Sequence, residues 1–527
     1  MSAFHRRQSI DRDIDTLLEE IFVLAERVRV LRGHRNQLAP ISRIPPDVLL
    51  SIFRLSMPEE GKRLFPSSHN FSHVCQYWRY LAVDSPLLWS NVPRNTHELT
   101  AMFLERSQRI PLTFCVKNDK HVEDAAINIA LDHMDRTQTL YHRASTNKIG
   151  DYVDRLSRPA PSLVQCTIIW TSYGRKVPLP DTFLGLYAPR LRNLHLCGLD
   201  LPWRALCQPG LVRSLTSLTL RISSSSLSVR DVIATLRATP ALENLVMEKL
   251  WYQEARTAPM DDVNMIADVD VELCSLTTLK IREEANRLCS YLPFTRVPPT
   301  TSVSIELFGD SCDLTPLKDF LEGLNPAQEP VRCLAYTKGT SPLDGSLVIE
   351  LHADPISVGG PSQIEEYKDS ITDEDHPCLL RVAVPVTWRS AGHPILGAMR
   401  LAAVGCLDVS LKEDDAMFSR HLLEHCTNAT ELLLVGVLTC EVILPTLVPQ
   451  AESNMVRLLP DLRRMRIHLH WRDLPEMVMT DLKAVLADRN GVSAPELQLS
   501  INRDVESTIY ASLSQAAGRP GLVISEY

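Results

Sequence analysis

No stretch of the chain approaches the ~20 consecutive apolar residues that a membrane span requires, and the opening residues, MSAFHRRQSIDRDID, hold no apolar core of a secretory signal. No membrane partner is expected, and the expected address is intracellular, cytoplasmic or nuclear. Cysteine pairs at metal-binding spacing are absent as well: the 13 cysteines are odd in number, scatter from Cys75 to Cys440 and include no C-x-x-C. They read as reduced, small apolar fillers rather than as a disulfide or zinc framework. The chain has no G-x-S-x-G, no G-x-x-x-x-G-K-S/T and no G-x-G-x-x-G, so a serine hydrolase elbow, a phosphate-binding loop and a dinucleotide fingerprint all lack support. Nor is positive charge in excess, with 55 Lys and Arg against 64 Asp and Glu. A formal net charge of -9 disfavours general binding to a phosphate backbone, and no nucleic-acid partner is expected.

What remains is ordinary globular material, with 45% hydrophobic and 23% charged residues over 527 positions. That length suits roughly two to four units of ~100 to 200 residues each. The first element is a helix over residues 8–39. Ile10, Ile14, Leu17, Ile21, Leu24, Val28, Leu31 and Leu38 recur in steps of four and three, with Arg35 interrupting the last step, which is a heptad seam. Ile14, Ile21 and Val28 at the a positions put Leu17, Leu24 and Leu31 at d, a combination suited to a two-stranded coil. A parallel homodimer sets Arg27 against the following Arg32 of the second copy, whereas an antiparallel pair brings Glu20 near Arg27, so an antiparallel or heterotypic coil fits the charges better. Two readings stay open: self-association through residues 10–38, and a seam laid on the protein's own body. The helix should end before Pro40.

The next segment carries the most specific pattern. IPPDVLLSIF (Ile44 to Phe53) places Pro45 and Pro46 where a helix tolerates a missing N–H, and Asp47 adds the negative charge favoured in a first turn. Val48, Leu49, Ile52, Phe53 and Leu55 then form an apolar stripe, and Met57 to Asn70 holds the Pro and Gly that end it. FSHVCQYWRYLA (Phe71 to Ala82) begins a second amphipathic helix, expected to run to Val83, with Val74, Cys75, Trp78, Leu81 and Ala82 on one side. SPLLW (Ser85 to Trp89) closes the segment. Two short helices this apolar need a cover.

In order, Ile44-Pro45, Asp47-Val48-Leu49, Ile52-Phe53, Val74-Cys75, Trp78, Leu81-Ala82 and Leu88-Trp89 follow the pattern of an F-box, and residues 40–92 resemble that family, with likeness to fungal F-box domain-containing proteins. The loop between Phe53 and Val74 departs from the pattern, being slightly long and carrying Glu59, Glu60, Lys62 and Arg63. The resemblance implies a small all-α module that docks on a Skp-type adaptor and, through it, a cullin. It also implies that Ile44, Pro45, Pro46, Leu49, Ile52, Phe53, Val74, Cys75, Trp78, Leu81 and Trp89 contact the adaptor.

Beyond residue 92 a phrase recurs: one apolar residue, a second three positions on, a third five positions on. Its instances are Leu163-Cys166-Ile168, Leu191-Leu194-Leu196, Leu215-Leu218-Leu220, Leu242-Leu245-Met247, Leu276-Leu279-Ile281, Ala429-Leu432-Leu434 and Leu462-Met465-Ile467. Early intervals fall in the ~20 to 29 residues of leucine-rich repeats, and later ones stretch. Helix-like stretches such as Val229 to Pro240 and Pro316 to Leu324 lie between. The expected architecture of 93–527 is therefore an irregular α/β leucine-rich-repeat-like solenoid, with an exposed acidic loop near 358–377. Residues between the buried positions should face the strand-lined surface, giving a candidate client-binding set: Asn193, His195, Arg221, Glu248, Lys280, Arg282, Glu306, Glu431, Arg464, Arg466 and His468. Their mixed charge suits a polypeptide better than a polyanion.

One enzymatic pattern needs weighing. HLLEH (His421 to His425) matches H-x-x-E-H, with Glu424 as a base. Yet Leu423, Cys426, Ala429, Leu432 and Leu434 have the spacing of Leu236, Thr239, Leu242, Leu245 and Met247 at every step, which makes HLLEH the ordinary helix of a repeat. His468 and His470 share a strand face and read as polar strand positions. The expected fold is thus α+β and multi-domain: a long helix or coiled coil, an F-box, then the solenoid. No catalytic residue, metal or cofactor is expected. The implied function is substrate reception in a Skp–cullin–F-box type ubiquitin ligase for an unknown protein client. A scaffold assembling proteins without ubiquitin transfer is the rival.

Overall fold

The structure is a computed structural model describing residues 3–57, 70–93, 96–116, 124–144, 153–170, 178–200, 202–222, 229–249, 270–309, 312–324, 331–338, 346–352, 379–385, 392–399, 401–411, 416–448, 458–468, 475–489, 497–501, 513 and 524–526. The acidic loop near 358–377, most of the loop after Met57, the serine run 223–226 and His470 lie outside these residues. The chain divides into two compact units between Asn193 and Leu194.

The first unit opens with helix α1, Ala3–Gln37, which ends before Pro40 as the proline dictates. Its seam is not laid on the protein's own body: every seam residue from Ile10 to Leu31 is solvent-exposed. A 3-10 turn, Pro40–Arg43, leads to α2, Pro46–Leu55. Pro45 is its N-cap, Pro46 opens its first turn, and Asp47 places a carboxylate at the positive end of the helix. The next helix, α3, spans Gln76–Val83, shorter than the expected 71–83. Cys75 breaks it, because its backbone is extended (φ -156, ψ 171) and its sulfur accepts the first-turn N–H of Trp78. Val74 therefore sits in the preceding turn.

A second 3-10 turn, Pro86–Trp89, is followed by α4, His97–Arg106, and α5, Asp124–Asp132. The segment is not closed off as an independent all-helical module at residue 92. Strand β1, Asn91–Val92, pairs in parallel with β2, Leu112–Val116, and β2 continues to β3, Thr137–Ala144, and β4, Gln165–Trp170.

The second unit is mixed α/β around a large sheet. After β5, Asn193–Cys197, at the boundary, its strands are β6 (Ser217–Ile222), β7 (Asn244–Lys249), β8 (Val271–Glu272), β9 (Thr278–Glu284), β10 (Thr295–Arg296), β11 (Ser302–Phe308), β12 (Val331–Lys338), β13 (Ser346–His352), β14 (Leu380–Pro385), β15 (Val404–Ser410), β16 (Glu431–Val435), β17 (Arg464–His468), β18 (Gln498–Ile501) and β19 (Ile524–Glu526). Strands β6, β7, β9 and β11 run in parallel order, as do β15 to β19, while β8 and β10 form a separate parallel pair. Helices Val229–Ala238, Thr315–Gly323, Ala416–His425, Val437–Leu447 and Glu476–Arg489 connect them.

The recurring phrase has a structural cause. All three residues of every instance are buried. In each, the N–H of the first residue closes a turn onto the carbonyl three positions earlier: Leu163 to Ala160, Leu191 to Ala188, Leu215 to Val212, Leu242 to Thr239, Leu276 to Leu273, Ala429 to Cys426 and Leu462 to Leu459. The turn delivers the chain into a strand whose alternate side chains reach the core.

Regular succession fails in the middle. β14 lies beside β11, β12 lies beside β15, and β13 fills the gap antiparallel to both. Every residue from Leu347 to His352 is buried, including Glu350 and His352, so this patch is covered on both faces and the phrase's alternation is lost.

Candidate docking surfaces

Phe53 organises the surface of the first unit. Its ring stacks on Phe71 at 4.4 Å and leans on Trp78 at 4.8 Å, joining the end of α2 to the start of α3. Arg79 Nε donates to the Ser72 carbonyl at 2.8 Å and fixes the intervening turn. Trp89 is locked further in. Its Nε1 donates to the Ala82 carbonyl at 2.7 Å, its ring meets Phe103 edge-on at 4.8 Å, and the Arg106 guanidinium lies 4.4 Å over it.

This packing sorts the expected adaptor contacts. Pro45, Pro46, Ile52 and Val74 are exposed, and Ile44, Cys75, Trp78 and Leu81 are half-buried. Leu49, Phe53 and Trp89 correct the expectation: they are fully buried within the chain and support the surface from beneath. The reason is angular. Leu49 and Phe53 are four apart on one side of α2, while Pro45, Val48, Ile52 and Leu55 follow in steps of three and four along the flank beside it.

That flank is open, with Leu55 88% exposed. Val74, in the turn before α3, and Tyr77 and Tyr80 on it are exposed, Tyr80 by 75%, and Ile41 and Leu87 are exposed as well. Tyr77 and Tyr80 lie outside the ordered pattern from Ile44 to Trp89. Their signal is local: two aromatics three apart on the side of α3 away from Ala82. An exposed cluster of this kind marks an interaction surface.

Residues 41–94 match the F-box-like family. The chain thus carries an F-box-like domain, of a type that binds Skp-type adaptors, and the exposed flank of α2 and α3 is part of it. No curated protein matches the chain.

The sheet of the second unit offers a different surface. His195, Arg221, Glu248, Lys280, Arg282, Glu306, Glu431, Arg464, Arg466 and His468 all sit on strands of the sheet, half-buried or exposed; Asn193, also exposed, ends the first unit. Register brings many of them side by side. Arg221 lies opposite Glu248, Glu248 opposite Arg282 and Arg282 opposite Glu306, with Arg221–Glu248 at 2.8 Å and Arg282–Glu306 at 3.2 Å. Arg381 extends the ladder to Glu306 at 3.6 Å and to Glu350 at 3.1 Å, and His352 meets Glu350 at 3.3 Å. Farther along, Glu431 holds Arg464 at 2.5 Å and lies 4.0 Å from Arg466. The surface is therefore an alternating-charge ladder, largely neutralised by its own neighbours. Burial, and then the charge of Arg221, holds the His195 imidazole below its ordinary range, so it stays neutral at pH 7.

HLLEH sits on the helix Ala416–His425 with Leu422 and Leu423 buried. Glu424 accepts from Arg420 at 3.0 Å and lies 3.1 Å from His421 Nδ1. Burial alone would raise its carboxyl, but these bonds outweigh it and hold the group below its usual range. Such a carboxylate is engaged on the helix surface and is a weak proton acceptor. Among the described residues no three His, Cys, Asp or Glu side chains converge on a metal position, and no helix is long and apolar enough to cross a membrane.

Proposed function

We propose that this chain is the substrate-recognition subunit of a Skp–cullin–F-box type ubiquitin ligase. The observation that carries the reading is the open apolar flank of α2 and α3 inside a segment matching the F-box-like family. Val48, Ile52, Leu55, Val74 and Tyr80 dock the adaptor, which brings the cullin, while Leu49, Phe53 and Trp89 hold the two helices at the right angle. Residues 93–527 act as an irregular leucine-rich-repeat-like solenoid whose charge ladder receives a protein client. A client must exchange ion pairs for those of the ladder, which favours charge-patterned polypeptides over uniformly charged ones. The chain itself does no covalent chemistry and works inside the cell. It raises the local concentration of client lysines near a ubiquitin-charged partner.

The test is to purify the full chain from cells with its associated proteins and supply ubiquitin, its activating and conjugating enzymes and ATP. Cullin-dependent ubiquitin transfer to a co-purified protein is expected. Adaptor binding with no cullin-dependent transfer to any associated protein would replace this reading with that of a non-degradative scaffold.

A further inference from the structure

We infer that two copies of this chain pair through antiparallel α1 helices. The pairing stands on α1 alone and does not depend on the adaptor reading. Helix stability in water comes mainly from packing of an apolar face, and α1 has such a face without a cover. Ile14, Leu17, Ile21, Leu24, Val28 and Leu31 are 46 to 61% exposed along 35 continuous helical residues.

Charge names the occupant. Residues 11–26 hold six carboxylates, Asp11, Asp13, Asp15, Glu19, Glu20 and Glu26, against the single Arg12. Residues 27–35 hold Arg27, Arg29, Arg32 and Arg35 and no carboxylate. The segment 11–35, which follows Arg6 and Arg7, is acidic toward its start and basic toward its end, and so is complementary to its own reverse.

The heptad register makes this specific. In an antiparallel pair Ile14 meets Leu31, Leu17 meets Val28 and Ile21 meets Leu24 of the second copy, so the six central seam residues bury one another. The same alignment sets Glu20 against Arg27, Asp11 against Arg32 and Asp13 against His34, each contact occurring twice by symmetry. No like charges meet. The parallel, in-register alternative sets Arg27 against Arg32 twice, gains only Arg6 against Asp11, and faces Asp13 and Glu20 with the uncharged Leu18 and Ala25. Orientation is thus decided by the rim.

The arrangement has a consequence for reach. Only residues 38–45, which include the turn Pro40–Arg43, separate α1 from α2. At 1.5 Å per residue, the two exits at Leu38 lie about 45 Å apart along the rod. Each assembly therefore presents two F-box-like domains, one near each end of the rod.

Sedimentation of the full chain across a concentration series tests the inference. A particle of twice the 59.2 kDa chain mass is expected. Ile21→Asp with Leu24→Asp, both at exposed positions, should yield monomers with an unchanged unfolding midpoint. Arg27→Glu decides orientation: in the antiparallel pair it faces Glu20 and should weaken the dimer about tenfold, and Glu20→Arg added to it should restore the pair. A monomeric wild type, a dimer that survives the seam variant, or an Arg27→Glu dimer tighter than wild type would each overturn it.

Discussion

At the scale of single residues, the segment's fold rests on side chains that do not reach its surface. Trp89 satisfies its indole N–H on the Ala82 carbonyl and fills the space against Phe103. Trp89→Phe keeps the aromatic contact but removes the indole donor, leaving the Ala82 carbonyl to backbone N–H groups such as that of Ser85, and should cost about 0.5 to 1.5 kcal/mol in denaturant unfolding. No measurable loss would show that the bond does not hold the closing turn. Cysteines make a second prediction. Burial pushes the thiols of Cys166, Cys426 and Cys440 up to about 12, whereas Cys274 is exposed. Iodoacetamide at pH 8 should label Cys274 and spare the other three until the chain unfolds. The sign of the linkage follows. Below pH 9 these thiols are neutral folded or unfolded, and between 9 and about 12 only the unfolded chain ionises them, so stability falls as pH rises. The stability gap between wild type and Cys166→Ala should narrow across that window. A gap that widens would contradict the assignment.

Elements differ in how far their sequence betrays them. The phrase at Leu215, Leu242, Leu276 and Leu462 marks strands because one face of the sheet is buried and the other is not, whereas the strand after Ala429 keeps the phrase although both its faces are buried. It also fits Val404-Leu407-Val409 on β15, a further buried instance. In β13 and β14 both faces are covered, so Glu350, His352 and Arg381 sit at positions that alternation alone would count as core or misplace. The antiparallel insertion is invisible for the same reason. The ladder that these three extend is graded by burial, and mutation should reveal the grading. Arg381→Ala takes the guanidinium away from buried Glu350, which keeps His352 beside it, and should cost about 3 kcal/mol. Arg464→Ala, from a partly exposed pair, should cost about 0 to 1 kcal/mol. Equal costs in urea unfolding would mean that burial does not set the strength of the ladder.

For the whole molecule, ordered residues between Ile44 and Trp89 identify the docking segment, but they do not say which of them face outward. The pattern holds both the supports and the contacts, since a helix core and a helix interface need the same apolar residues. Only the packing of Phe53 against Phe71 and Trp78 separates buried Leu49 from exposed Ile52, and only exposure brings forward Leu55, Tyr77 and Tyr80. The boundary at Asn193 is likewise absent from the motif, because β1 ties the end of the F-box-like segment to strands that follow it. Isothermal titration of the purified full chain with a Skp-type adaptor tests the central claim most directly. The account predicts micromolar or tighter binding by wild type, and a loss of at least about tenfold in Ile52→Asp with Leu55→Asp at an unchanged unfolding midpoint. No binding by wild type, or equal binding by the double variant, would contradict it.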